Sequence, residues 1–118
     1  MIEQAAATYP NLQVVATTLR RVVSATVNDW GAIAWSRDAG FAEATPRQAL
    51  EILDRVGGGD SFASGLIYGL LTGMDLAQAA QYGAAHGALA MTTPGDVSQA
   101  DFAQVRHLVE GGSARVVR

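Results

Sequence analysis

The residues in this 118-residue chain that are best suited to binding or catalysis are three consecutive glycines followed directly by a carboxylate, Gly57-Gly58-Gly59-Asp60. A glycine-rich turn that opens a helix binds anions, because its N–H groups point outward and the helix dipole adds roughly half a positive charge. Glycine also lets the backbone approach a phosphate closely. A carboxylate beside such a turn is suited to take the proton of a nucleophile that attacks the phosphate. On the residues alone, Asp60 as an ordinary helix cap is an equally good interpretation.

Short β-rich runs precede these glycines. Strands are predicted at residues 12–19, 22–27, 30–35, 41–44 and 50–53. The first is predicted to be buried, a turn at 37–40 closes a hairpin, and residues 45–47 are predicted to be a loop.

Helices are predicted after the glycines, where apolar residues recur at spacings of three and four from residue 62 to 71. Gly65, Gly69 and Gly73 lie four apart, and such a stripe lets another helix approach closely. Asp75, with Gln78 three residues on, predicts the N-cap of a second helix that ends near residue 92.

The last part of the chain predicts a third helix, with a capping box at 98–101 and a stop at the glycines 111–112. Residues 115–117 predict an edge strand. Strands followed by packed helices indicate an α/β or α+β layer, and the length indicates one domain spanning residues 1–118.

The composition excludes several classes of protein. There is no cysteine and all eight basic residues are arginine, so disulfides, thiolate chemistry, a P-loop lysine and a Schiff-base lysine are excluded. A net charge of −3 argues against nucleic acid as a partner. No apolar run is long enough for a membrane span and no signal leader is recognisable, so a cytoplasmic protein is expected.

The string from Asp54 to Phe62, Asp-Arg-Val-Gly-Gly-Gly-Asp-Ser-Phe, resembles the C-terminal signature of the ribokinase-like (PfkB) carbohydrate kinases. It is most similar to the 2-keto-3-deoxygluconate kinase (2-dehydro-3-deoxygluconokinase) branch, which residues 14–20, 24–31, 82–88 and 92–96 also resemble. The resemblance covers nearly the whole chain. It implies an α/β fold that is the C-terminal part of a ribokinase-like sandwich, namely its nucleotide-binding and catalytic segment.

The resemblance also implies roles for individual residues. Asp60 would be the catalytic base, and Gly57, Gly58 and Gly59 would form the anion hole for the transferred phosphoryl group. Thr18 and Arg20 would lie at the strand end that touches the nucleotide phosphates, although relatives have glycine where this chain has Arg20. A plain strand exit is the alternative for Thr18.

Further positions follow from the same resemblance. Ala84, Gly87 and Ala88 lie where the family packs adenine, with close helix packing as the alternative for Gly87. Arg55 would contact a phosphate or the substrate carboxylate, or form a surface salt bridge instead. Asp54 is a candidate for a monovalent-cation site, although the two residues after it depart from the threonines of many relatives. The ligands of a divalent metal are left unassigned.

The activity implied is ATP-dependent phosphorylation of a sugar acid, 2-keto-3-deoxygluconate to its 6-phosphate, with Mg²⁺ and K⁺ as candidate cations. The expected partners are a nucleotide and a sugar acid, with no nucleic acid and no membrane, and a homo-oligomer is a further expectation. The family's N-terminal sugar-binding region and its mid-chain Asn-x-x-Glu are not found in this sequence. The alternative is therefore a truncated, non-catalytic remnant that serves as a folding or oligomerisation module.

Overall fold

The computed structural model describes residues 2–52, 57–92 and 102–110. Four strands come before the three larger helices, as the sequence predicts, and the α/β class is confirmed. The elements are α1 (Ile2–Thr8), β1 (Val14–Val22), β2 (Val27–Ser36), β3 (Gly40–Glu43), β4 (Arg47–Glu51), α2 (Gly58–Leu71), α3 (Leu76–Met91) and α4 (Phe102–Val109).

The four strands form one antiparallel sheet with β2 at its centre. β1 pairs with β2 over nine positions, β3 pairs with the second half of β2, and β4 pairs with its first half. Since successive side chains of a strand point to opposite faces, every second residue of β2 is buried against the helices. These residues are Asn28, Trp30, Ala32 and Ala34.

The run at 22–27 was predicted to be a strand, and this prediction is wrong. Val22 ends β1 and Val27 begins β2, while residues 23–26 form the connecting turn. The Val27 carbonyl closes this turn by accepting hydrogen bonds from the N–H groups of Val23 and Ser24 at 2.9 and 3.0 Å. The β-branched residues gave a strand signal, but both Val22 and Val23 are exposed at the hairpin.

Two other strand predictions need correction. The last strand spans Arg47–Glu51 instead of 50–53, so Arg47 lies in a strand and not in the predicted loop. β1 was predicted to be buried, but its first five residues are half-buried and its last four are exposed. Within the described residues it pairs only with β2, so it is an edge strand here.

Helix α3 is the central helix, and twelve of its sixteen residues are buried. It packs against β2, β3, α2 and α4. The Asp75 carboxylate accepts a hydrogen bond from the Gln78 N–H at 2.8 Å, which confirms the predicted N-cap. The helix ends at Met91, with Thr92 as its C-cap, close to the predicted end.

The predicted glycine stripe is confirmed for two of its three members. A Cβ added at Gly65 would lie 2.8 Å from Cα of Gly83, and one added at Gly69 would lie 2.8 Å from Cα of Ala79. These distances are too short for real contacts, so α2 and α3 touch backbone to backbone. Gly73 was predicted to belong to the stripe, but it lies beyond the end of α2 with φ 89°.

The remaining predictions concern the last part of the chain. The capping box at 98–101, the helix stop at 111–112 and the strand at 115–117 lie outside the described residues. The helix predicted there is present as α4. Across the described ranges, no helix combines the length and the apolar character that crossing a membrane requires.

Candidate functional site at the start of helix α2

The start of α2 is free of any side-chain cap. Gly57 is the N-cap residue in the left-handed conformation, with φ 89° and ψ −5°, which glycine adopts without strain. Its carbonyl accepts the N–H of Ser61 at 2.8 Å. The first N–H groups of a helix have no partner inside it, and no side chain within residues 2–52, 57–92 and 102–110 caps this helix. The N–H groups of Gly58, Gly59 and Asp60 are therefore donors placed at the positive end of the dipole.

Asp60 is the third residue of α2, and its side chain is exposed. The interpretation of Asp60 as the helix cap is wrong, because Gly57 occupies that position. Its carboxylate instead lies in the first turn, where the helix dipole stabilises a negative charge. A general base must lie within hydrogen-bond reach of the proton that it removes, and an exposed carboxylate is accessible to a bound ligand. The role of Asp60 as that base stays a prediction.

Gly58 and Gly59 have different surroundings. A Cβ at Gly58 would lie 3.0 Å from both Cγ and Sδ of Met91, so Gly58 is packed tightly on α3. A Cβ at Gly59 would meet nothing within 4 Å. The open side of the turn is therefore at Gly59, and a ligand would approach from there.

Thr18 and Gly59 line the same cavity, which lies between β1 and α2 and has a volume of about 550 Å³. The structure thus brings together two residues that are 41 positions apart in the chain and that were both predicted to contact phosphate. The other lining residues are Val14, Ala16, Thr17, Phe62, Ala63, Leu66, Ile67 and Leu70.

Arg20 lines a second cavity of about 500 Å³, and Thr18 borders this one as well. The two cavities therefore share Thr18 as a lining residue. Arg20 is itself exposed. Four other polar side chains also line this second cavity. These polar residues are Arg21, Asp29, Glu43 and Gln48.

The three residues predicted to pack adenine lie in the core, and none of them borders either cavity. Ala84 is 2% exposed and Ala88 is 0% exposed. A Cβ at Gly87 would lie 2.7 Å from Cζ2 of Trp30 and 3.0 Å from the Gly58 carbonyl oxygen, so the small residue here is explained by close packing. A direct contact of these three residues with a nucleotide stays a prediction. The predicted sites at Asp54 and Arg55 lie outside the described residues.

His86 lies on α3 beside the first turn of α2. Burial lowers the pKa of its imidazole below the usual value, while a hydrogen bond to the Ser61 backbone raises it. The net shift of the pKa is downward, so His86 is largely neutral at neutral pH. It therefore adds little charge near the N–H groups of Gly58, Gly59 and Asp60, which are called the cradle below.

Two residues that support the cradle, Trp30 and Met91, were not found from the sequence. Both belong to apolar runs and therefore look like ordinary core residues. The signal available was the spacing of Ala84, Gly87 and Met91 on one face of a helix, but it does not say what that face contacts.

The donor set at the start of α2 suits an anionic group, because it consists of backbone N–H groups. Within residues 2–52, 57–92 and 102–110, no three histidine, aspartate or glutamate side chains lie close enough together to hold a metal ion. The binding of phosphate by these donors stays a prediction.

Comparison with known proteins decides the family. A family model described as pfkB family carbohydrate kinase matches residues 9–102. This chain belongs to the pfkB family of carbohydrate kinases. The confirmed α/β fold agrees with this membership, since the family's solved members align with almost the entire chain.

The relatives point to one branch of the family. The chain is 48% identical over 46 residues to the 2-dehydro-3-deoxygluconokinase of Bacillus subtilis, which is 39% of this chain and 14% of that protein. The crystal structure of the 2-dehydro-3-deoxygluconokinase from Thermotoga maritima aligns with a TM-score of 0.87, with 36% identity over 93% of this chain. That of a proposed 2-keto-3-deoxygluconate kinase from Enterococcus faecalis aligns with a TM-score of 0.82, with 29% identity over 99% of this chain. In both solved structures the match covers 33% of the relative, so this chain spans about a third of their length.

Proposed function

We propose that this chain supplies the catalytic base, the anion hole and part of the ATP site of a kinase that phosphorylates 2-keto-3-deoxygluconate on its 6-hydroxyl. On this proposal, residues 1–118 are the C-terminal nucleotide-binding and catalytic segment of the kinase fold. The observation that carries it is the start of α2, where N–H donors without a partner among the described residues share the first turn with the exposed carboxylate of Asp60. The branch to which the relatives belong supports the choice of sugar acid.

The proposed reaction is an in-line transfer of the γ-phosphoryl group of ATP. The sugar hydroxyl oxygen attacks the γ-phosphorus, its proton passes to Asp60, and the bond between the γ-phosphorus and the bridging oxygen breaks to release ADP. The N–H groups of Gly58 and Gly59 stabilise the charge on the transferred group, and Gly57 provides the turn that exposes them. Bound Mg²⁺ would neutralise charge on the phosphates.

The nucleotide is proposed to extend from Gly59 towards Thr18. The cavity that these two residues share supports a role for the Thr18 hydroxyl on a phosphate oxygen. Arg20, exposed beside the adjoining cavity, is proposed to pair with a phosphate or with the acid group of the sugar. Ala84, Gly87 and Ala88 are proposed to lie beneath the adenine end, where their small size keeps α3 close to the sheet.

Two further roles are proposed on the family resemblance alone. Arg55 would contact a phosphate or the substrate carboxylate, and Asp54 would help to bind K⁺.

The experiment that tests this function measures phosphoryl transfer from Mg·ATP to 2-keto-3-deoxygluconate. It uses the complete kinase fold, assembled by combining this chain with the other two-thirds of a 2-dehydro-3-deoxygluconokinase. Asp60→Asn should abolish transfer because an amide cannot take the proton, while ATP affinity stays the same or rises. Ser64→Ala, at an exposed position one turn further along α2, is the control and should retain transfer. Full activity of Asp60→Asn would rule out the proposed base.

The sheet edge and the exposed face of α2 favour a second candidate function, an association module without catalysis. β1 has no strand on its outer side among the described residues. Ile67 is 54% exposed and Leu71 is 82% exposed, which is unusual for large apolar side chains on one helix. Light scattering on the purified chain tests this candidate, which predicts self-association. A monomer at all concentrations would argue against it.

A further inference from the structure

Trp30 connects the central strand to the helix that supports the candidate cradle. Its indole Nε1–H donates a buried hydrogen bond of 2.9 Å to the Ala84 carbonyl, across 54 positions of the sequence. The side chain is 4% exposed. Nε1–H is the only polar group of a tryptophan side chain. Its hydrogen bond to the Ala84 carbonyl therefore favours one position of α3 relative to β2.

The same indole ring touches the helix again one turn later. A Cβ at Gly87 would lie 2.7 Å from Cζ2 and 3.4 Å from Cε2 of Trp30, and 3.0 Å from the carbonyl oxygen of Gly58. Gly87 is therefore enclosed between the ring and the first residue of α2. A displacement of the ring or of α3 would therefore alter the packing at Gly58.

Met91 completes this contact one further turn along α3. Its Cγ and Sδ lie 3.0 Å from the position of a Cβ at Gly58. Ala84, Gly87 and Met91 are spaced three and four residues apart, so they form one face of the helix. That face contacts Trp30 at one end and the start of α2 at the other.

We propose that Trp30 is a positioning residue for phosphoryl binding. Its indole sets the position of α3, and α3 in turn fixes the direction of the N–H groups of Gly58 and Gly59. This inference rests on the proposed function of those N–H groups. Donors in an anion hole act only when they are held within a fraction of an ångström of their target position. A small shift of α3 therefore weakens phosphate binding much more than it weakens the fold.

The test compares two tryptophan variants of the purified chain, which has two tryptophans in all. Trp30→Phe keeps an aromatic ring but removes the Nε1–H donor. The control is Trp35→Phe, because Trp35 lies on the opposite face of the sheet, where the Arg37 guanidinium covers its ring at 5.1 Å from the centroid. In titration calorimetry with Mg·ATP, Trp30→Phe should bind roughly tenfold or more weakly than Trp35→Phe, while both remain folded. Equal affinities of the two variants would overturn the proposal.

A nuclear magnetic resonance measurement separates this inference from the proposed function. Trp30→Phe should displace the amide resonances of Gly58 and Gly59, whereas Trp35→Phe should leave them in place. If the wild-type chain fails to bind Mg·ATP, the proposed function fails for this chain, and these resonances alone decide the inference. Unmoved glycine resonances in Trp30→Phe would overturn it.

Coupling between two sites acts in both directions, so bound Mg·ATP should in turn change the environment of the Trp30 indole. Mg·ATP should shift the indole N–H resonance of Trp30 and leave that of Trp35 unchanged. If Trp30→Phe does not fold, benzothienylalanine at position 30 in the Trp35→Phe background replaces only the N–H with sulfur and keeps the ring shape. Undiminished Mg·ATP affinity and unmoved glycine resonances in that protein would likewise overturn the proposal.

Discussion

Replacing Gly65 with alanine should destabilise the chain, although alanine is the better helix former. The added Cβ would lie 2.8 Å from both Cα of Gly83 and the Tyr82 carbonyl oxygen. Both neighbours are backbone atoms of α3, so no side chain can rotate away and the two helices must separate. Overpacking of this kind costs about 3 kcal/mol at the upper end of its usual range. The gain in helix propensity returns about 1 kcal/mol, so the free energy of unfolding should fall by about 2 kcal/mol.

Urea unfolding followed by circular dichroism measures this change, with Gly59→Ala as the matched control. Gly59 lies in the same helix, but a Cβ there would meet nothing within 4 Å. The control should therefore be at least as stable as the wild type, with a gain of up to about 1 kcal/mol from helix propensity. If Gly65→Ala proves as stable as Gly59→Ala, the close backbone contact between α2 and α3 is refuted.

Two further predictions concern α3. Asp75→Ala removes the acceptor of the 2.8 Å bond from the Gln78 N–H and should cost about 1 kcal/mol in urea unfolding; an unchanged midpoint would exclude a capping role. Burial lowers the pKa of His86 below 6.5 in the folded state, so the unfolded chain binds the proton more readily. Its contribution to stability is complete above pH 6.5 and is lost as the pH falls towards the lowered pKa. His86→Gln should flatten this part of the pH–stability curve, and an unaltered curve would contradict the assignment.

The features that the sequence predicted correctly depend on local signals. The Asp75–Gln78 cap and the Gly65–Gly69 stripe each involve residues three or four apart, and a helix brings such residues together by its own geometry. The strand-then-helix order likewise follows from a change of period within the chain.

The features that were missed depend on contacts between distant residues. Valines at the turn between β1 and β2 resemble a strand, because propensity does not show where the chain reverses. The apolar content of β1 suggested burial, but burial of a strand depends on what pairs with its outer edge. A cap at Asp60 was one interpretation of the sequence, whereas the N-cap of α2 is Gly57, three residues earlier. The Trp30–Ala84 bond spans 54 positions, and no local pattern indicates it.

Calorimetry of the purified chain with Mg·ATP is the sharpest test of whether the start of α2 binds phosphate beside a catalytic base. Gly59→Val fills the open side of the cradle without touching the core, and Ser64→Val places the same side chain at an exposed position five residues further along α2. We expect Gly59→Val to abolish binding, while Ser64→Val and Asp60→Asn retain it. Binding of Mg·ATP by Gly59→Val at the wild-type affinity would refute a phosphate site at the start of α2.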